Sequence, residues 1–391
     1  MTMIEELLGG KTGETIAVKP DYLVITDGSG FEVVEDIHTE KLKNHGKGVI
    51  VIDHDVPAGN SDSSAIFEKL VDFSKKYEVP FIQAKGAAYA VMMDTFVKPG
   101  NIVLSCSAHN SIYGAAGALG LQVDVKTLAK LFTEDTYSFT IPETVQIDLK
   151  GKLAEGSSAI DLWITLLGTV DADKLVGKVI EFTGEGLKNL SKHARVVLCS
   201  MATRTGAVTA LVNESAQEKD NYDQTIAFQL DTVSASVALP VSKEANLKGE
   251  FTFERLSVLK DQEFDAGFIG GYTGGYIEDL RVAADLMKGK HLDLGFRLNV
   301  CPVSSNVYLQ ALKEGLIETF IDFGAQILAP GDHNIVLQGA GVAGPKEKVL
   351  TTGSYNFSGC LGSEDALVYI GSVASVVAAA LRKQSVSANL E

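Results

Sequence analysis

Short apolar runs alternate with amphipathic stretches along most of the chain. In the first third, DYLVITDG, GVIVID, PFIQ and NIVLSC are apolar runs of strand length, while SSAIFEKLVDFSKKY and VDVKTLAKLF place apolar residues at helical spacing. Strand and helix in alternation predict an α/β fold built on a mostly parallel sheet. PETVQIDLKGKL alternates like a further strand, and VYIGSVASVVAAALR, residues 368 to 382, predicts an apolar helix near the end. Sites in such sheets lie beyond the carboxyl ends of the strands. Two strands end in candidate chemistry: GVIVID runs into Asp53, His54 and Asp55, and NIVLSC runs into Ser107, Ala108 and His109. A lone histidine at a strand end is ordinarily a hydrogen-bonded surface or core residue, so these two alone specify no reaction.

The pattern changes character at FDAGFIGGYTGGYIEDLR, residues 264 to 281. An apolar run meets Gly270, Gly271, Gly274 and Gly275, which free the backbone to turn sharply, and Ile277, Leu280, Ala284 and Met287 then recur at helical spacing. This predicts strand, loop and helix. The first helical turn carries Glu278 and Asp279, the charge a helix start prefers, and its free N–H groups could meet an anion.

At 391 residues the chain exceeds one ordinary core and should divide into two or three domains. No apolar run is long enough to span a bilayer, and the start, MTMIEELLGG, has no basic region followed by an apolar stretch. No membrane association is expected, and the cytoplasm is the expected location. A formal charge of 34 minus 50, or −16, would repel phosphate backbones, so no nucleic-acid partner is expected. Cys106, Cys199, Cys301 and Cys360 are far apart and form no CxxC pair, which indicates neither a disulfide framework nor a zinc knuckle.

Several of these segments together resemble the aconitase superfamily, in particular 3-isopropylmalate dehydratase large subunits, over nearly the whole chain. The glycine-rich stretch resembles the family's F-I-G-S-C-T-N-G-R-I-E-D-L-R, and DHDVP at 53 to 57 resembles D-H-x-x-P. FVKPGNIVLSCSAHNSIYGAAGALG resembles Y-V-K-P-G-x-x-V-x-G-D-S-H-T-x-T-Y-G-A-L-G without a gap, and VYLQALKEGLIETFIDFGAQILAPG matches a further long motif. The resemblance implies three α/β/α domains with mostly parallel sheets around a central cleft, near 1–142, 143–245 and 246–391. It implies that Asp53, His54 and His109 are catalytic-site residues. It also implies a separate small subunit that supplies a swivelling domain and a proton-abstracting serine, and a small hydroxy acid as substrate.

The departures from the family fall on its chemistry. Its three cluster cysteines correspond to Tyr272, Asp332 and Ile335 here, and a phenol cannot replace a thiolate on a four-iron-four-sulfur cubane. The cluster is therefore expected to be absent, with no other cofactor or metal in its place. The carboxylate and serine before the catalytic histidine are Ser107 and Ala108, a second histidine is Tyr89, and a glutamate is Arg204. Two carboxylate-binding arginines are Tyr355 and Cys360. A guanidinium fork suits a carboxylate, so Arg204 becomes a candidate substrate anchor, beside Tyr272, Thr273, Gly274, Ser107, Tyr89, Tyr355 and Ser304 as further substrate-binding candidates.

The turns and apolar patterns remain coherent around these losses, which favours a rebuilt site over a decayed one. Three functions remain open at this stage. One is a cluster-free hydro-lyase acting on a small hydroxy carboxylic acid, with His109 or His54 as general acid. Another is an inactive ligand-binding or regulatory partner of a dehydratase. The last is a mononuclear metal enzyme drawing on His54, His109, Asp332, His333, Cys106 or Cys360, residues that only the resemblance places near one another.

Overall fold

The computed structural model describes residues 1–217, 221–259, 262–333 and 340–382. Three sheets carry the architecture. The first has five parallel strands in the spatial order Phe81–Gln83, Gly48–Ile52, Tyr22–Thr26, Ile102–Ser105, Leu119–Gln122. Gly48–Ile52 is buried at all five positions, which is why its sequence reads as an unbroken apolar run. The chain builds the sheet outward in one direction from Tyr22–Thr26 and then in the other from Ile102–Ser105. Between those two strands the order reverses, and a crevice opens beyond their carboxyl ends.

The second sheet is also parallel, in the order Thr209–Val212, Val179–Thr183, Thr144–Lys150, Gln224–Gln229. The third is mixed, in the order Phe253–Arg255, Ser236–Ala238, Leu367–Gly371, Lys348–Thr351, Ala266–Ile269, Arg297–Val300, Gln326–Ile327. Only Ser236–Ala238 is antiparallel to its neighbours. Its reversal point lies between Ala266–Ile269 and Lys348–Thr351, and the glycine-rich turn leaves the sheet there. No helix among the described residues is long and apolar enough to cross a membrane.

The glycine turn follows the predicted strand, loop and helix. Ala266–Ile269 enters a short helical turn at Gly271–Gly274, and a helix follows over Ile277–Met287. Gly271 adopts φ 68°, the left-handed region that favours glycine. The helix buries Leu280, Ala283, Ala284 and Met287 on one face, where each large apolar side chain contributes about 1.5–3 kcal/mol.

One expectation is corrected. Residues 368 to 382 are not a single helix: Leu367–Gly371 is a strand parallel to Lys348–Thr351, and the helix runs only over Val373–Arg382. Val368, Tyr369 and Ile370 are β-branched or aromatic and are buried on both faces of the sheet, so the run shows no period that separates it from the helix behind it. The Ser372 hydroxyl accepts the Ser375 N–H at 3.2 Å and starts the helix.

Candidate active site

The ends of the first-sheet strands set the site. Asp27 follows Tyr22–Thr26, and its carboxylate accepts the backbone N–H groups of Asp53 at 2.8 Å, His54 at 3.1 Å and Asp55 at 2.8 Å. One side chain thus holds the loop that leaves the neighbouring strand. The Asp53 Oδ1 atom lies 2.6 Å from His54 Nδ1, and its Oδ2 accepts the Ala88 N–H at 2.7 Å. Ala88 begins the helix Ala88–Thr95, so the aspartate also receives the positive end of that helix.

Beyond Ile102–Ser105, the Ser107 hydroxyl accepts the His109 N–H at 3.1 Å and caps the turn Ala108–Ala116. The carboxylate missing from the sequence beside His109 is replaced in space. The backbone N–H of Asp332 donates to the Asp53 carbonyl at 2.8 Å, and its carboxylate reaches 3.9 Å from His109 Nε2. Asp53, His54, Tyr89, Ser107, His109 and Asp332 converge on one cavity of about 20 Å³, together with Thr26, Asn110 and Tyr113. That volume accommodates a water molecule. The Tyr89 hydroxyl and His109 Nδ1 are buried there without hydrogen-bond partners.

Burial opposes charge on His54, yet Asp53, with Asp332 and Asp27, pushes its pKa up to about 10. Burial raises Asp53 to about 6 against the pull of His54. Around neutral pH the pair is imidazolium and carboxylate. His109 goes the other way: burial lowers its pKa, Asp332 opposes, and the charge on His54 adds to the lowering, which keeps the ring neutral. One histidine is poised to give a proton and the other to accept a hydrogen bond.

The remaining candidates lie around this cavity without lining it. The Tyr272 ring sits edge-on to His109 at 4.9 Å and to Tyr89 at 5.3 Å, and Tyr355 lies 5.6 Å from His109. Arg204 is 5% exposed and donates to the Ser354 carbonyl at 3.3 Å and Asn356 Oδ1 at 3.2 Å. Its guanidinium stands over the Tyr355 ring at 5.8 Å, so one aromatic ring separates it from His109.

Thr273, Gly274 and Ser304 are committed to packing. Thr273 donates to the Thr352 carbonyl, and a Cβ on Gly274 would lie 2.1 Å from Thr352 Oγ1. The Ser304 hydroxyl accepts the Val307 N–H at 3.3 Å, capping the helix Ser305–Lys313. A motif position fixes the backbone, while side-chain direction follows from the local cap or close approach.

Among the described residues, the His, Cys, Asp and Glu groups whose donor atoms lie within 4.8 Å of one another are Asp27, Asp53 and His54. Their oxygens already accept the loop N–H groups, Ala88 N–H and the imidazole. His333 bonds the Ala329 carbonyl at 3.1 Å, and burial raises Cys106 to about 11 and Cys360 to about 12, so neither thiol is a thiolate near neutrality.

A closed polar cavity at the reversal point of one parallel sheet, walled by a loop from another, is the site arrangement of an α/β enzyme. The sequence matches the Aconitase family (aconitate hydratase) over residues 3–217 and 209–383, and the chain belongs to that family. This places it among the hydro-lyases of the aconitase superfamily. The 3-isopropylmalate dehydratase large subunit of Elusimicrobium minutum (strain Pei191) is 29% identical over 95% of this chain and 93% of its own length. That of Caldicellulosiruptor bescii is 29% identical over 97% and 95%, and large subunit 1 of Thermotoga maritima is 28% identical over 95% and 93%. The holo-form of Thermococcus kodakaraensis aconitase X superposes with a TM-score of 0.55 at 14% identity, covering 86% of this chain and 83% of that one, a likeness of fold.

The residues at the cluster-ligand positions do not fit a four-iron-four-sulfur cubane. Tyr272 is fully buried, burial holds its phenol well above its usual pKa of 10, and its ring occupies the space beside His109. Asp332 offers a carboxylate, and Ile335 lies outside the described residues. Cubane irons require soft thiolate donors at three corners.

Proposed function

We propose that this chain is the large subunit of a hydro-lyase that works on a small hydroxy carboxylic acid without an iron-sulfur cluster. The observation that supports this most is the convergence of a charged His54–Asp53 pair and a neutral His109 on one cavity sized for water. In the elimination direction, the His54 imidazolium protonates the departing hydroxyl, the carbon–oxygen bond breaks, and the water formed takes the cavity. His109 accepts a hydrogen bond from that water, and the Tyr89 hydroxyl, free of other partners, donates one.

The acid itself does not fit the cavity. It binds at the mouth, where His54 keeps 29% side-chain exposure, and a base on a separate small subunit takes the carbon-bound proton. The curated relatives are themselves named large subunits. Buried Arg204 and Tyr272 stand behind the cavity, and they act on it through the rings of Tyr355 and His109 that they pack against. Arg204 is held by the Ser354 carbonyl and Asn356 Oδ1, so its charge reaches the cavity only as a field across the Tyr355 ring.

One observation favours a second function, a catalytically inactive regulatory partner of a dehydratase: a cavity of about 20 Å³ has no room for a whole acid. The two are separated by assaying hydration and dehydration of small hydroxy acids with the chain combined with a dehydratase-type small subunit. The hydro-lyase predicts turnover that His54→Gln abolishes while acid binding persists. Binding without turnover in every combination supports the regulatory partner, and turnover that survives His54→Gln overturns the assigned acid.

A further inference from the structure

Tyr272 meets His109 from a turn that Thr352 holds at its start and the Val303 N–H, donating to the Gly275 carbonyl at 2.9 Å, holds at its end. Gly270 N–H donates to Thr352 Oγ1 at 2.9 Å, and Thr273 donates to the Thr352 carbonyl. The other side of the turn faces the helix Lys192–Cys199, which belongs with the second sheet. His193 on that helix is 5% exposed, and its ring stacks on Tyr276 at 4.5 Å with an interplanar angle of 26°. Its Nδ1 atom lies 3.3 Å from Asp279 Oδ2, the same oxygen that accepts the Tyr276 N–H at 3.3 Å. Its Nε2 atom is buried without a hydrogen-bond partner.

We propose that His193 is a positioning residue for the candidate site: it fixes the outer side of the glycine turn and so sets the Tyr272 ring against His109. Two contacts on one imidazole tie the end of the turn at Tyr276 to Asp279 in the first turn of the following helix. Gly271 and Gly275 give the turn little stiffness of its own, so a ring wedged at Tyr276 decides where Tyr272 points. The same helix contributes Val196 to the apolar cluster around Tyr89, Tyr113 and Tyr272, so a shift of His193 has a direct mechanical route to the cavity wall. Burial drives the His193 pKa down to about 4, which leaves it neutral beside Asp279, a carboxyl that burial raises well above its usual range. The contact therefore works as packing and hydrogen bonding and not as an ion pair.

The significance for catalysis rests on the proposed hydro-lyase, but the test does not. The whole chain is labelled with ¹³C,¹⁵N-histidine, and the His109 ring resonance is assigned by its loss in His109→Gln. That resonance reports the ring current of Tyr272, and Tyr272→Leu marks its position when the ring is gone. In folded His193→Ala, the His109 resonance is expected to move toward the Tyr272→Leu position, and in His193→Phe, which keeps a ring against Tyr276, to return part of the way. An unmoved resonance in a folded His193→Ala chain overturns the proposal. If His193→Ala does not fold, Tyr276→Leu, which removes the stacking face and leaves the imidazole, must move the same resonance; no movement there overturns it equally. Absence of turnover in the wild type would sink the hydro-lyase reading and leave this result intact.

Discussion

The backbone N–H of Asp332 donates to the backbone carbonyl of Asp53 at 2.8 Å, and this single bond brings a carboxylate from the third-sheet part of the chain to 3.9 Å from His109. The residues beside His109 in sequence, Ser107 and Ala108, carry no carboxylate, so Asp332 supplies one from a distance. Asp332→Asn is expected to lower the His109 pKa further, because the carboxylate is what opposes desolvation there. Titration of the His109 ring by NMR measures it, and an unchanged pKa removes Asp332 from the site electrostatics.

His54 contributes to the pH dependence of stability on the alkaline side. Its folded pKa, about 10, lies above the unfolded value near 6.5, so the stabilisation it contributes is fully present below about 6.5 and is lost as pH rises through 10. In Asp53→Asn the first cause of that rise is gone, and the alkaline loss of stability should flatten. At pH 7 the variant should be less stable than wild type, since His54 loses the charge-assisted bond that favours its protonated form. Urea unfolding across pH 6 to 10 compares the two proteins.

Activity, if carried by the His54–Asp53 pair, requires the aspartate ionised and the imidazole protonated. The pH profile of kcat/KM is expected to rise through about 6 and fall through about 10. His54→Gln should flatten both limbs along with the rate, by roughly 10²–10⁴-fold for loss of a general acid.

Protein made and handled without oxygen is expected to carry no four-iron-four-sulfur cluster. Metal analysis and the visible spectrum decide this, and a brown protein with about four irons per chain would contradict it.

The glycine turn offers a stability test independent of the chemistry. Gly274→Ala would press a Cβ to 2.1 Å from Thr352 Oγ1 and should cost about 1–3 kcal/mol. Gly46→Ala, where nothing lies within 4 Å, should stay within about 0.5 kcal/mol of wild type. Equal effects in thermal unfolding would mean that the turn yields freely.

The parallel strands were legible because buried strands write themselves as unbroken apolar runs, and Gly48–Ile52 is the clearest case. Strand ends then pointed to Asp53, His54 and His109, since a parallel sheet places its site there. Asp27 went unnoticed although it ends Tyr22–Thr26 in the same way; its Asp-Gly dipeptide reads as an ordinary turn. His193 left no signal at all, because its meaning comes from Tyr276 and Asp279, more than eighty positions away. For Thr273, Gly274 and Ser304 the sequence carries no sign of side-chain direction, and only the fold shows Thr273 and Gly274 against Thr352 and Ser304 capping at Val307. The strand at Leu367–Gly371 was hidden by the apolar helix that follows it.

Asp27 has a consequence beyond holding a loop. Its three bonds to the successive N–H groups of Asp53, His54 and Asp55 remove the backbone freedom of the acid before any substrate arrives. The ordering entropy of that segment is settled during folding, so the transition state has little of it left to lose. Asp27→Ala should therefore act on the temperature dependence of the rate, making the activation entropy more unfavourable, alongside a lowered His54 pKa from the lost carboxylate.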